Sequence, residues 1–204
     1  MEQISLSFVI AMIVAYLLGN ISPSTILGRM HGIDIKKEGS GNAGATNTLR
    51  VLGPRAAAVT FLVDVMKGVM AVILAEQMAG PAAGRWACLF VMLGHVWPVV
   101  LRFRGGKGVA VSFGAILAVN WKLALLLLLI VVVAVVITRK VSFGSIAACV
   151  SFPVLGYLLE REFMPVGVIM ALIILYAHRS NIGRLMRGEE NSIHFSRKKE
   201  DHQS

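Results

Sequence analysis

The chain has 204 residues, 56% of them hydrophobic and only 15% charged. That balance excludes an ordinary soluble domain and, with several windows of membrane-spanning length, implies an all-α polytopic membrane protein. The net charge of +9 would suggest nucleic acid in a soluble protein, but in a membrane protein it records basic loops on the inner side, so no nucleic-acid partner is expected.

The first apolar run, residues 4–27, has Glu2 as its only early charge and no clear cleavage site, so it reads as a retained span. Its second half, Gly19-Asn20-Ile21-Ser22-Pro23-Ser24-Thr25, is polar for a lipid-facing helix. Those groups need partners inside a bundle, which places this end beside the loop that follows.

That loop, residues 39–50 (GSGNAGATNTLR), is rich in small, hydroxyl and amide residues and closes on an arginine. Gly39, Gly41 and Gly44 are expected to take positive φ and gather backbone N–H groups into an anion nest. Ser40, Asn42, Thr46 and Asn47 add donors, and Arg50 adds a planar fork that fits two phosphate oxygens. The pattern reads as a phosphate-binding loop; a flexible connector is the plainer alternative. Two familiar motifs fail here. The G-x-G-x-x-G match lacks the strand before it and the soluble helix after it. A nucleotide-binding Walker loop needs Lys-Ser/Thr after its last glycine, where this chain has Ala45-Thr46.

Pro54 and Arg55 open a second run that reaches Met78 and carries Asp64 and Lys67 on one helical face. Each would cost roughly 2.5–3.5 kcal/mol at the bilayer centre, so they are expected to pair inside the protein as a structural ion pair. The third run, residues 86–103, holds His95 and is followed by Arg102, Arg104, Gly105, Gly106, Lys107 and Gly108, a second flexible stretch with a cation in it. The fourth, residues 109–119, is short for a span, and the fifth, residues 123–137, looks like a lipid-facing wall. The sixth, residues 141–159, has Ser142 and Ser145 at its entrance. The seventh, residues 164–177, continues into a segment where a helix would put His178, Asn181 and Arg184 on one side. Residues 1–190 read as a single membrane domain and residues 191–204 as a charged tail, loosely ordered from Arg187 onward. Cys88 and Cys149 lie in apolar runs as packing residues. No His, Cys or carboxylate cluster has ligand spacing, so no metal is expected and no cofactor.

Charge asymmetry favours seven spans with the N-terminus outside and the C-terminus cytoplasmic. Arg29, Lys36, Lys37, Arg50, Arg55, Arg102, Arg104, Lys107, Arg139, Lys140 and the basic tail then fall inside, against Arg85, Lys122 and Arg161 outside. On that topology four polar clusters converge on the cytoplasmic face: the residue 39–50 loop, the residue 102–108 loop, the Ser142 turn and the segment from His178 to Arg184.

These motifs resemble the bacterial acyl-phosphate:glycerol-3-phosphate acyltransferases, the PlsY family. The resemblance rests on Ser40-Gly41-Asn42 with Gly44-Ala45-Thr46-Asn47 and Arg50, on Asp64-x-x-Lys67-Gly68, and on Gly94-His95-x-Trp97-Pro98. Gly105-Gly106-Lys107-Gly108-Val109-Ala110 and His178-Arg179-x-Asn181-Ile182-x-Arg184-Leu185 complete it. It covers nearly the whole chain, with the motifs in order. It implies a multi-pass enzyme of the bacterial inner membrane, its site facing the cytoplasm. The reaction implied moves a fatty acyl group from acyl phosphate to the sn-1 hydroxyl of glycerol 3-phosphate in phospholipid synthesis, giving lysophosphatidic acid and phosphate. Membrane lipids surround such a protein, and a monomer is expected.

The resemblance further implies that Arg50 and Lys107 hold phosphate and neutralise the leaving group, assisted by Ser40 and the loop backbone. Asn181 and His178 would orient glycerol 3-phosphate or the reacting carbonyl, with Ser142, Ser145 and Arg184 nearby and Asp64, Lys67 and His95 in support. The proton of the attacking hydroxyl goes either to His178 or to a phosphate oxygen of the donor. There is no H-x-x-x-x-D box of the kind found in thioester-dependent acyltransferases. The alternative from another class is an organic-phosphate transporter or channel, which should show inverted repeats and polar residues through the full depth of the bilayer. No repeat is visible, and a purely structural membrane protein would leave the ordered motifs unexplained.

Overall fold

The computed structural model describes residues 5–192, so nearly all of the expected tail, residues 191–204, lies outside the described residues. Among the described residues ten α-helices follow one another: α1 Leu6–Gly19, α2 Pro23–Met30, α3 Ala45–Leu52, α4 Pro54–Ala79 and α5 Pro81–Val96, then a 3-10 turn Val99–Leu101, α6 Val109–Val119, α7 Trp121–Thr138, α8 Val141–Leu159, α9 Met164–Ala177 and α10 Arg179–Met186. Helix ends fall where local chemistry puts them. Ser5 caps α1 by accepting from Phe8 N–H at 3.2 Å. Prolines stand in the first turn of α2, α4, α5 and α9, where a missing N–H costs nothing. Glycines with φ of +85° and +81°, Gly53 and Gly80, separate α3 from α4 and α4 from α5.

Among the described residues five stretches are long and apolar enough to cross a membrane: Leu6–Met30, α4, Pro81–Leu101, α7 and α8. Helices α9 and α10 qualify only as a pair, bent by 59°. Helix α6 has 11 residues, about 16 Å of helix against a hydrocarbon core of roughly 30 Å.

The elements depart from the sequence expectation at three places. The first run is not one helix; it breaks between Gly19 and Pro23, where α1 gives way to α2. The glycine-rich loop is a loop only to Gly44, and its second half is α3. The third span begins five residues earlier than expected, at Pro81, because helix-breaking Gly80 rather than Arg85 marks its start. The fourth and sixth apolar runs coincide with α6 and α8, and the seventh with α9.

Helix α5 is the axis of the bundle: Ala83, Ala87, Cys88, Val91 and Met92 on it are fully buried. Lipid is as apolar as leucine, so the helices associate through close packing rather than hydrophobic burial. Two glycine contacts show how close. A Cβ on Gly19 of α1 would stand 2.8 Å from Gly94 Cα of α5, and one on Gly68 of α4 would stand 2.8 Å from Ala115 N of α6.

Polar contacts tie each end of the bundle. At one end Arg85 pairs with Glu162 at 2.5 Å, and Asn120, between α6 and α7, donates to Leu159 O at 3.1 Å and Glu160 at 3.0 Å. At the other, Lys107, just before α6, donates to Asn181, and Ser142 donates to Glu190 at 2.8 Å. Helix α6 therefore runs from one end to the other despite its length. Helix α7 exposes Leu125, Leu126, Leu129, Val132, Val133, Val136 and Ile137, the expected wall. Its other face, with Ala124, Leu127, Leu128 and Val131, bounds the main cavity.

Candidate active site

The site is built on the break between α1 and α2. Breaking a helix frees backbone carbonyls, which inside a membrane must be satisfied by protein. The buried ammonium of Lys67 supplies this: it donates to Gly19 O at 3.1 Å and Ile21 O at 2.6 Å, to His95 Nδ1 at 2.9 Å, and pairs with Asp64 at 2.7 Å. Asp64, Lys67 and His95 are all buried. The expected ion pair is present, and it includes a histidine and two carbonyls that spacing alone could not reveal. Nδ1 of His95 also lies 3.3 Å from Asp64, so lysine, histidine and carboxylate form one buried cluster.

His95 in turn carries the second glycine loop. Gly106 N–H donates to His95 O at 3.1 Å and Gly105 N–H to Val96 O at 3.1 Å. A Cβ on Gly106 would stand 2.7 Å from Ala43 O, in the first glycine loop, and would collide with Nε2 of the His95 ring. Gly105 and Gly106, expected as flexible backbone, are thus close-packing glycines that bring the two loops together, and neither lines the cavity. Gly108, with φ +86°, turns the chain into α6.

The first loop is held by Asn47. Its Oδ1 accepts from Ser40 N at 2.7 Å and Ser40 Oγ at 3.1 Å, while its Nδ2 donates to Ile35 O at 3.0 Å and Glu38 O at 3.1 Å. Expected as a phosphate donor, Asn47 has both amide protons committed to the loop itself and is a latch. Gly39 and Gly41 take φ of +59° and +70° as expected. Gly44 does not; at φ −151° it is extended and starts α3. Arg50 lies in the last turn of α3 and is exposed.

These pieces enclose one cavity of about 290 Å³. Its mouth is polar, lined by Ser40, Asn42, Thr46, Asn47, Arg50, Lys107, Ser142, Ser145, His178 and Asn181, with Asp64 and His95 at its wall. Its interior is apolar, running between α6, α7, α8 and α9 past Phe113, Leu127, Val131, Ala148, Phe152 and Met170. Phe152 bounds it beside Gly167, whose missing side chain makes room for the ring. Of the residues expected at the site, Gly41, Gly105, Gly106, Lys67 and Arg184 do not line the cavity.

At the mouth, His178 sits at the bend between α9 and α10, its Nδ1 2.8 Å from Ile174 O. A carbonyl only accepts, so Nδ1 carries the proton and Nε2 is the unprotonated nitrogen. Lys107 donates to Asn181 Oδ1, and Asn181 Nδ2 donates to Glu190 at 2.6 Å. Glu190 also accepts from Ser142 at 2.8 Å and pairs with Arg184 at 2.7 Å. Arg184, expected to bind phosphate, is committed to this carboxylate instead. Ser145 donates to Val141 O at 3.2 Å.

Sequence reasoning missed Glu190, which it assigned to a loosely ordered charged stretch; the residue is buried. Its place follows from the chain turning back after α10, through the positive φ of Gly188. Burial works to raise its carboxyl, but hydrogen bonds from Asn181, Ser142 and Arg184, with the Arg184 charge, outweigh it and hold the group below the usual carboxylate range. Burial pushes the Lys107 ammonium down to about 8; Glu190 opposes that shift, and Arg184 and Arg50 add to it.

Comparison with known proteins agrees with this geometry. A family model described as glycerol-3-phosphate acyltransferase matches residues 9–188. A protein of that name from Clostridioides difficile (strain 630) is 47% identical over 198 residues, covering 92% of this chain and 96% of the relative. Another from Thermoanaerobacter pseudethanolicus is 44% identical over 188 residues, covering 91% and 95%. Among solved structures, PlsY (YgiH), an integral membrane glycerol 3-phosphate acyltransferase, superposes in its glycerol 3-phosphate form with a TM-score of 0.85 at 33% identity, covering 92% of this chain and 96% of that one. Its lysophosphatidic acid form gives a TM-score of 0.82 at the same identity.

Proposed function

The chain belongs to the glycerol-3-phosphate acyltransferase family, and from that premise we propose that it takes its acyl group from acyl phosphate and transfers it to the sn-1 hydroxyl of glycerol 3-phosphate. The products are lysophosphatidic acid and phosphate. The observation that carries this reading is a single cavity with a cationic, hydroxyl-rich mouth and an apolar interior. One substrate is wholly soluble and the other has a phosphate head on a hydrocarbon tail. Such a cavity seats both phosphates at the mouth and the acyl chain between α6, α7, α8 and α9.

In this reading Arg50 grips one phosphate through two guanidinium N–H groups, and Lys107 stabilises charge on the departing phosphate. Ser40, Asn42 and Thr46 complete the cradle, while Asn47 keeps its shape. Asn181 and Ser142, held by Glu190, position the glycerol backbone, and Nε2 of His178 accepts from the attacking hydroxyl. Acyl phosphate is already an activated mixed anhydride, so alignment and electrostatic stabilisation suffice without a covalent intermediate. Two acceptors stand ready for the hydroxyl proton, Nε2 of His178 and the donor phosphate itself. All the groups invoked come from one chain, which supports a monomer as the active unit.

The membrane topology proposed with it has seven crossings, the N-terminus outside, and the cavity mouth facing the cytoplasm of the bacterial inner membrane. Its support is the two-ended tethering of α6 together with the charges: Arg85, Lys122 and Arg161 gather at the end away from the cavity mouth. Organic-phosphate transport would require polar lining at both ends, whereas this cavity ends on Phe152 and Met170.

The test is purified protein with palmitoyl phosphate and glycerol 3-phosphate, following phosphate release and lysophosphatidic acid together. Equal formation of the two products is expected. Phosphate release without the acylated product, or transfer from an acyl thioester but not from acyl phosphate, would overturn the assignment.

A further inference from the structure

A second cavity opens beside the first and plays no part in the acyl-transfer reading. It measures about 800 Å³ and lies between the chain leaving α2 and the 3-10 turn after α5. Four cations line it, Arg29, Lys36, Arg102 and Arg104, against one carboxylate, Asp34. That carboxylate accepts from Lys36 N–H at 3.1 Å and offsets part of the repulsion on the Lys36 ammonium. Among the described residues none of the four cations takes part in an ion pair. The cations outnumber the carboxylate by three, so they repel one another across the cavity, and a bound anion relieves that repulsion.

The position of the cavity says which kind of anion. It lies where two candidate spans, Leu6–Met30 and Pro81–Leu101, both end, which is the depth of lipid headgroups. Its surroundings are apolar and outward-facing: Met30 is 75% exposed, Val100 66% and Phe103 60%. A free phosphate or an acidic protein surface gains nothing from such side chains, whereas a lipid offers acyl chain to them and phosphate to the arginines. We propose that this groove binds the headgroup of an anionic phospholipid of the surrounding membrane.

The groove touches both substrate loops. Ile35, beside Lys36, accepts through its carbonyl from the Asn47 latch at 3.0 Å, and Arg104 directly precedes the glycines that lead to Lys107. A bound headgroup would therefore tether both loops to the bilayer surface. The inference does not depend on the acyltransferase reading, and it is tested by binding rather than turnover.

The full chain is placed in nanodiscs of phosphatidylcholine containing phosphatidylglycerol, extracted, and weighed by native mass spectrometry. Wild type is expected to retain a phosphatidylglycerol adduct, and the triple variant Arg29→Gln, Arg102→Gln, Arg104→Gln to retain at least about tenfold less. Size-exclusion profile and Tm in discs of phosphatidylcholine alone should be the same for both, which shows that the variant is folded. If the triple variant does not fold, Arg29→Gln alone, on an exposed helix face, should still lower retention. Equal retention by wild type and variant, or no adduct on wild type, overturns the proposal. Displacement of the adduct by millimolar inorganic phosphate would assign the groove to soluble phosphates instead, and a poly-glutamate peptide that binds wild type but not the variant would assign it to an acidic protein.

Discussion

Lys107 provides a test in which the structure sets the scale. Partial burial lowers its ammonium to about 8, so it is charged at neutral pH and loses its proton as pH rises through that value. If the charge holds phosphate in the transition state, kcat/KM should be level up to about pH 8 and then fall roughly tenfold per unit, since at pH 9 only about one lysine in eleven remains protonated. The substrates do not obscure this limb, because phosphate esters complete their second ionisation near pH 6. Arginine stays charged throughout, so Lys107→Arg should remove the limb, at the cost of lower activity from fitting a larger head between Gly106 and Gly108. The limb in kcat should lie higher than in kcat/KM, because bound phosphate favours the charged form. The assay is steady-state phosphate release from pH 6 to 10 with enzyme checked for integrity at each pH. An alkaline limb that survives unchanged in Lys107→Arg would refute the assignment of this charge to catalysis.

Four further outcomes are expected. Glu190→Gln removes the nearest charge that holds the Lys107 proton on, so the alkaline limb should move to lower pH; a limb that stays in place would detach Glu190 from Lys107. Arg50→Lys keeps the charge but loses the fork and should lower kcat/KM tenfold or more, roughly 1.4 kcal/mol, in steady-state kinetics. Phe152→Ala lengthens the apolar interior beside Gly167 and should shift preference toward longer acyl phosphates when two chain lengths compete in one assay, with a stability loss of about 3 kcal/mol. Lys67→Met strands the buried Asp64 carboxylate and two helix-end carbonyls, so it should cost about 3–5 kcal/mol, read as a lowered Tm.

The helices were legible because apolar length and the breakers Pro and Gly mark them directly, as at α6, α8 and α9. Legible too were the polar residues of the cavity mouth, since serines, asparagines, arginine and lysine among glycines between membrane-length runs have few other uses. The roles within that group were not. Asn42 and Asn47 are the same residue type five positions apart and both line the cavity, yet Asn47 spends its amide on four loop contacts. Only backbone geometry separates a ligand from a latch. Likewise Arg184 carries the same charge as Arg50, but a carboxylate six residues on neutralises it. Glu190 was illegible for a related reason: a charged residue after a helix end is solvated in most proteins, and its burial depends on the turn at Gly188.

Glu190 also explains how a site for two phosphates avoids defeating itself. Lys107 and Arg50 line the cavity and Arg184 stands close by, so like charge gathers in a partly dry space, and burial already depresses Lys107. One internal carboxylate neutralises the arginine that faces away from the cavity, leaving Arg50 and Lys107 for substrate. The same carboxylate fixes the orientation of an amide. Because Glu190 only accepts, Asn181 must present its N–H to it and its oxygen to Lys107. The lysine is thereby held toward the cavity before substrate arrives, which lowers the reorganisation required at the transition state. Two phosphates entering this mouth then meet two cations already in place, with Arg184 and the Glu190 carboxylate engaged with each other and Asp64 paired with Lys67.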